Sequence, residues 1–273
     1  MSGAARHCPV CDAAGTPLPA VDFNKSCEEA NGRFLPPSGI FIQYFLCGNC
    51  GFCFAPEICS WTTAEFENRI YNKDYAEVDP DCSGPRPRAN AANLIELFGE
   101  RRSEIRHLDY GGGSGLLSEL LHKAGWNSTS YDPFHDKGVR LGDLGKFDLI
   151  TAYEVFEHVP DVTALMSDLR LLLAHDGIVL FSTLLSDGKL GQGQGTTWWY
   201  ASPRNGHISL FSRKSLAILA AREGWTFGSF SPVSHVLWRT VPSWASHVFR
   251  TAAPLPNPAP KKRRFWSFLD FTR

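Results

Sequence analysis

The stretch HLDYGGGSGLL, residues 107–117, decides the fold. Ile105–Tyr110 reads as a buried strand, and LLSELLHKAG after it as a helix. The glycines between them permit positive φ and let a ligand lie against bare backbone. Their spacing is Asp109-x-Gly111-x-Gly113-x-Gly115. A dinucleotide site would read G-x-G-x-x-G and need glycine at 116, where Leu116 stands. An acid two residues before the first glycine suits a cationic or amino-bearing ligand, because it would repel a pyrophosphate.

Outward from this turn, strand and helix alternate. STSYD (residues 128–132) predicts a second strand ending in Asp132, where an acid can accept hydrogen bonds from both hydroxyls of a ribose. Asp143 precedes a third strand, FDLITAYE (147–154), where an adenine-contacting loop would fall. VTALMSDLRLLLAHDG predicts an amphipathic helix, Ile178–Thr183 a strand, and SRKSLAILAAREGW a helix capped by Ser212. WTFGSFS and HVLWRTV suggest a late hairpin. Such alternation implies an α/β fold with a parallel sheet covered on both faces. Upstream, FIQYFLC (41–47) and GFCFA (51–55) predict a hairpin, WTTAEFENRIY a helix, and PDCSGPRPR (80–88) a linker or lid.

The block from Asp109 to Thr183 resembles the class I S-adenosylmethionine-dependent methyltransferases. FDLITAYEVFEHVPD (147–161) is similar to the branch that includes ubiquinone-biosynthesis O-methyltransferases and many small-molecule enzymes. The likeness runs from about Tyr71 to Ser231. It implies a Rossmann-like, doubly wound, mostly parallel seven-stranded sheet that binds S-adenosylmethionine. By resemblance, Gly111, Gly113 and Gly115 take the methionine part near Asp109, Asp132 the ribose, and Asp143 the adenine edge. Glu154 would face the cofactor. IYNKDYAE (70–77) looks like the family's lid, with Tyr71 or Tyr75 near the cofactor carboxylate.

Methyl transfer from a sulfonium needs an aligned nucleophile, and a hydroxyl or carbon acid also needs a base. Two histidines are candidates: His158, four residues after Glu154, and His207 in WWYASPRNGHISLFS (198–212), a segment resembling the branch's substrate-side loop. Their bland readings are a helix cap for Glu157–His158 and a structural role for His207. Trp198, Trp199 and Tyr200 could wall a flat or sugar-like acceptor, or fill a core.

Composition bounds the rest. The chain has 273 residues, 43% apolar and 20% charged, with net charge −1, which excludes wholesale disorder and a general nucleic-acid coat. All eight cysteines fall within residues 8–82. Cys8-Pro-Val-Cys11 and Cys47-Gly-Asn-Cys50 are two C-x-x-C knuckles, the pattern of a structural Zn²⁺ ribbon whose closed site holds the fold rather than catalyses. Cys27, Cys53, Cys59 and His7 stand outside that set, the three thiols as small buried hydrophobes, and Cys82 has no assigned role.

The expected divisions are a zinc-ribbon-like module (1–60), a methyltransferase domain with its lid (61–249) and a Pro-rich basic tail (250–273). The tail carries Arg250, Lys261, Lys262, Arg263, Arg264 and Arg273 against Asp270, a balance of +5 that leaves −6 on residues 1–249. It could touch an anionic membrane surface weakly, or RNA; its bland reading is a solvated tail or one whose aromatics pack on its own domain. With neither a signal peptide nor a transmembrane run, a cytoplasmic, reducing location is expected.

A zinc-binding N-terminus before such a core resembles the sugar C-methyltransferases, and in layout the rRNA guanine methyltransferases. The leading expectation is O- or C-methylation of a small-molecule or sugar/glycan acceptor. RNA base methylation is the alternative, disfavoured by EVFEHVPD and by the acidic body. A non-catalytic binding or scaffold protein is the alternative of another class.

Overall fold

In a computed structural model of the chain, the described residues are 6–99, 102–191 and 195–249. The basic tail and its expected membrane contact lie outside them. Short strands open the chain: β1 (Arg6–His7), β2 (Ala14–Pro17), β3 (Val21–Asp22), β4 (Phe41–Ile42), β5 (Phe45–Cys47) and β6 (Cys53–Phe54). β5 and β6 make the expected hairpin, but Phe41–Ile42 leaves it to pair with Val21–Asp22. The small antiparallel sheet runs β1-β2-β5-β6 and takes its fifth strand from far along the chain, β11 (Ser209–Leu210).

Four helices follow: α1 (Pro56–Cys59), α2 (Thr63–Arg69), α3 (Tyr75–Val78) and α4 (Pro85–Phe98). Thr62 and Glu65 form a full capping box on α2. The stretch 80–88, expected as linker, is half helix. Pro85 and Pro87 lie in the first turn of α4, where the missing N–H groups have no helical acceptor to lose.

The main sheet is built from β7 (Arg106–Tyr110), β8 (Asn127–Tyr131), β9 (Phe147–Tyr153), β10 (Leu173–Ser182), β12 (Thr226–Ser229) and β13 (Ser234–Trp238). Their order is β12-β13-β10-β9-β7-β8, with β10-β9-β7-β8 parallel and the last two strands antiparallel. This corrects the expected count of seven to six among the described residues. Between β8 and β9 the chain makes a 3₁₀ turn at Leu141–Leu144 flanked by Gly138 and Gly145, both at positive φ. A left-handed residue on either side leaves too short a run for a strand.

Helices α5 (Leu116–Lys123), α6 (Val162–Leu172) and α7 (Arg213–Arg222) complete the fold. Both faces of the sheet are covered. Along β10, Val179 and Phe181 pack into one apolar cluster and Ile178 and Leu180 into another, the period of two expected of a strand buried on each side. The first cluster also contains Cys8, Val10, Phe45, Cys47, Cys50 and Phe52. The cysteine module therefore packs into the same core as the sheet. No helix of the described residues is long and apolar enough to cross a membrane.

Candidate active site

β8 and β9 lie on opposite sides of β7, so connections leave β7 in opposite directions and open a crevice at its carboxyl end. The glycine turn follows β7 there, with φ of 74° at Gly111, 55° at Gly113 and 79° at Gly115. The Gly113 N–H donates to Asp132 Oδ2 at 3.0 Å, and Asp132 Oδ1 accepts from the Phe134 N–H at 2.8 Å. The turn and the Asp132 carboxylate thus fix each other. Asp109 is buried beneath them and accepts from Thr151 Oγ1 at 3.0 Å. Burial pushes its carboxyl up to about 7.

The tightest glycine is one that the D-x-G-x-G-x-G pattern leaves open. A Cβ on Gly112 would stand 2.6 Å from Asp109 Oδ2 and against Ser130 Oγ. Gly112→Ala is therefore expected to destabilise the protein by about 1–3 kcal/mol, the cost of overpacking a closed site. A shift in the urea midpoint at unchanged slope would record it, and an unshifted midpoint would refute it.

Glu154 follows β9 with φ 54°, a left-handed backbone on a non-glycine residue. Ser182 holds it twice: the Glu154 N–H donates to Ser182 Oγ at 2.8 Å, and that hydroxyl donates to Glu154 Oε1 at 2.6 Å. Strain over-determined in this way concentrates at functional sites.

Glu154, His158 and His207 line one cavity of about 460 Å³ together with Tyr200, Arg86 and Cys27. The His158 and His207 rings lie 4.8 Å apart. His207 Nδ1 is 2.8 Å from the Tyr200 carbonyl, which only accepts, so Nδ1 carries the proton and Nε2 the lone pair. Burial lowers both imidazoles, His158 to about 4, and keeps them neutral. Glu157, fully buried, accepts from the Tyr200 hydroxyl at 2.6 Å, and burial holds its carboxyl well above the usual range.

The other expected site residues divide. Tyr71 packs on Tyr75, on Phe134 and, at 6.2 Å, on His158. The Tyr75 hydroxyl reaches the Asn205 carbonyl. Asp143 stands apart on the exposed 141–144 turn, paired with Arg140 at 2.9 Å. Trp199 and Tyr200 line the cavity; Trp198 and Tyr200 belong to one apolar cluster with Leu18 and Ile42, and Trp199 packs against it. The sequence reading missed Arg86, which donates from both terminal guanidinium nitrogens to Asp79 at the cavity wall. Its one signal was arginine between prolines at a helix start.

The four expected ligands Cys8, Cys11, Cys47 and Cys50 converge as well. Sγ–Sγ distances are 3.6 Å for Cys8–Cys50 and 3.4 Å for Cys11–Cys47, and all four sulfurs lie within 4.8 Å of one another. The two knuckles share one hydrogen-bond pattern. Asp12 N–H donates to the Cys8 carbonyl as Gly51 N–H does to Cys47, and Cys8 N–H donates to Ala13 as Cys47 N–H does to Phe52. Asp12 and Gly51 both take left-handed φ, 62° and 74°. Four sulfurs at 2.3 Å from a tetrahedral zinc would be roughly 3.8 Å apart, so the donor set fits that ion. The Cys8–Cys50 hydrogen bond draws the Cys8 thiol down and pushes the Cys50 thiol up, as one proton shared between two sulfurs does.

The chain is similar to several known proteins. The ubiquinone biosynthesis O-methyltransferase of Xanthomonas euvesicatoria pv. vesicatoria (strain 85-10) is 34% identical, over 38% of this chain and 55% of that protein. Its counterpart in Actinobacillus pleuropneumoniae serotype 7 (strain AP76) is 33% identical over 32% and 47%. The chain thus spans about half the length of the curated relatives it matches. Among solved structures, an O-methyltransferase family protein from Burkholderia thailandensis aligns with TM-score 0.46 and 12% identity over 68% of this chain and 67% of that one. A family model described as a methyltransferase domain matches residues 84–227, more than half of the chain. The chain belongs to the methyltransferase-domain family.

Proposed function

We propose that this protein is an S-adenosylmethionine-dependent methyltransferase acting on oxygen or carbon of a small, uncharged acceptor, of small-molecule or sugar/glycan type. One observation carries the reading: two neutral histidines and Glu154 face a single cavity of about 460 Å³, and its lining is acidic. Glu28, Asp79, Asp81 and Glu154 line it, and Arg86, already paired with Asp79, is the one Lys or Arg among the described lining residues. A phosphodiester chain would meet repulsion there, which weighs against RNA. The names of the curated relatives add O-methylation to the balance.

The residues present fit the cofactor. Gly113 has left-handed φ and nothing within 4 Å of where a Cβ would stand, and the adjoining carboxylates suit a cationic ligand. When bound, S-adenosylmethionine supplies an electrophilic methyl group on a sulfonium. In this reading Asp109, Gly111, Gly113 and Gly115 hold its methionine part and Asp132 its ribose. Asp143 is kept for the adenine edge, with Tyr71, Tyr75 and Glu154 around the amino-acid end. His207 accepts the acceptor's proton at Nε2 while Nδ1 stays bound to Tyr200, and His158 is the second candidate base. The walls of Trp199 and Tyr200 exclude water and orient the acceptor. Cys8, Cys11, Cys47 and Cys50 hold a structural Zn²⁺.

Calorimetry with S-adenosylmethionine tests the cofactor half. Asp132→Ala should weaken binding about 10- to 100-fold, the weight of hydrogen bonds to a charged group. Methyl-labelled cofactor offered to phenols, catechols, free glycosides and rRNA tests the acceptor half. Label in a neutral hydroxylated compound is expected. Label in rRNA would replace the proposal with the base-methylating alternative, and cofactor binding without transfer would favour the non-catalytic one.

A further inference from the structure

Residues 198–207, which end in His207, are gripped from two sides, and one grip is the cysteine module. Lys25 Nζ donates to the carbonyls of Trp198 at 2.7 Å and Ala201 at 2.6 Å. In return the Arg204 N–H donates to the Lys25 carbonyl at 3.2 Å. The Cys27 N–H donates to Asn205 Oδ1 at 2.8 Å, and the Cys27 thiol lies 3.7 Å from His207 Nδ1. Tyr44, fully buried, donates its hydroxyl to the His207 carbonyl at 2.7 Å. The opposite grip comes from the lid, through Arg204 to the Ile70 carbonyl and Asn205 to the Val78 carbonyl.

The same module continues directly past His207. The Ala55 N–H donates to the Ile208 carbonyl at 3.0 Å, and β6 pairs with β11. The second knuckle is tied to α7, since Ser212 Oγ donates to the Cys50 carbonyl and Lys214 Nζ to the Asn49 carbonyl. The glycine turn has no such tie: its backbone bonds run to Tyr131 and Asp132 of the main sheet.

We propose that the four-cysteine module is a working wall of the acceptor site, with Lys25 and Tyr44 as positioning residues that hold the 198–207 segment, and hence the His207 imidazole, in register. The proposal rests on the reading of His207 as base. Physically, an ammonium shared between two carbonyls three residues apart fixes the turn that carries them. A tyrosine hydroxyl on the His207 carbonyl fixes the main chain that carries the imidazole. Tyr44 directly precedes β5, which ends in the ligand Cys47, and Lys25 lies in the segment that joins the two knuckles. Loss of the Lys25 and Tyr44 contacts therefore loosens the acceptor side and spares the cofactor side.

Amide hydrogen exchange on the full chain, read beside metal content and S-adenosylmethionine affinity, tests this without a known acceptor. Lys25→Met and Tyr44→Phe should keep their metal and bind cofactor within about twofold, while amides of 198–208 exchange at least about tenfold faster. Lys25→Arg, which retains donors for both carbonyls, should restore protection. Cys47→Ser, stripped of metal, should reproduce the acceleration in 198–208. Unchanged exchange in Lys25→Met, failure of arginine to rescue, or a parallel collapse of cofactor affinity would each overturn the proposal. Undiminished turnover in His207→Ala would instead fail the base assignment, and the exchange data keep the two failures apart.

Discussion

Serine at any one of Cys8, Cys11, Cys47 or Cys50 is expected to abolish metal binding and to lower the melting temperature by more than about 10 °C. The sulfurs lie within 4.8 Å of one another, and Cys8, Cys47 and Cys50 are almost fully buried. Without an ion, that cluster is a set of crowded thiols inside an apolar cluster it shares with Phe45, Phe52 and the main sheet. Structural zinc sites contribute about 10 kcal/mol or more of apparent binding free energy, and that is folding free energy for the segment carrying the ligands. Here the segment also supplies four strands of a five-stranded sheet whose last strand belongs to the core, so its loss propagates. The discriminating control is Cys53→Ser. Cys53 is equally buried, on β6, but stands outside the cluster of four. It should behave as an ordinary core substitution and keep one zinc per chain. Metal analysis of the purified protein with thermal unfolding before and after chelation reads all five variants. Protein free of zinc as purified, with chelation leaving its melting temperature unmoved, would refute the site.

Much of the glycine turn and its surroundings was legible because it is local. A glycine turn, an acid two residues before it and an acid ending the next strand lie within one strand–helix–strand unit, and the structure joins them through the Gly113–Asp132 bond. The knuckles were legible for the same reason, since each C-x-x-C closes its own turn. The unreadable parts depend on partners far away in sequence. Nothing near Ser209–Leu210 announces that they complete a sheet begun at Arg6. The Tyr44–His207 bond spans 163 residues.

Other misses were local but carried the wrong sign. Prolines in 80–88 read as breakers, yet two of them open α4 and deliver Arg86 to the cavity. Gly112 read as a spacer, yet no other residue fits above Asp109 and Ser130. Glu154 read as the end of a strand, with no hint that its backbone turns left-handed under the hold of Ser182. Periodicity reports which face a residue takes, whereas strain and close approach are set by what the rest of the chain brings there.

Replacing His207 by alanine is expected to lower turnover about 10²- to 10⁴-fold, the usual weight of a positioned general base, while S-adenosylmethionine affinity stays within a few-fold. The geometry supports that separation. His207 faces the cavity from the 198–207 segment, and the glycine turn and Asp132 are bonded to the main sheet instead. Asparagine at 207 sharpens the test, since its amide can still donate to the Tyr200 carbonyl but has no basic nitrogen. If the imidazole matters only as a strut, His207→Asn retains most activity; if it takes the proton, His207→Asn is as impaired as His207→Ala. The pH profile supplies an independent sign. A base works in its unprotonated form, above its pKa, and burial with the neighbouring His158 holds the His207 pKa well below 6.5. Turnover should therefore stay level from alkaline pH down past 6.5 and fall only in more acidic solution. An acid limb centred at or above 6.5 would point to another group, Asp109 or a solvated histidine. Equal losses of turnover and cofactor affinity in His207→Ala would return His207 to a structural role and leave His158 as the remaining candidate.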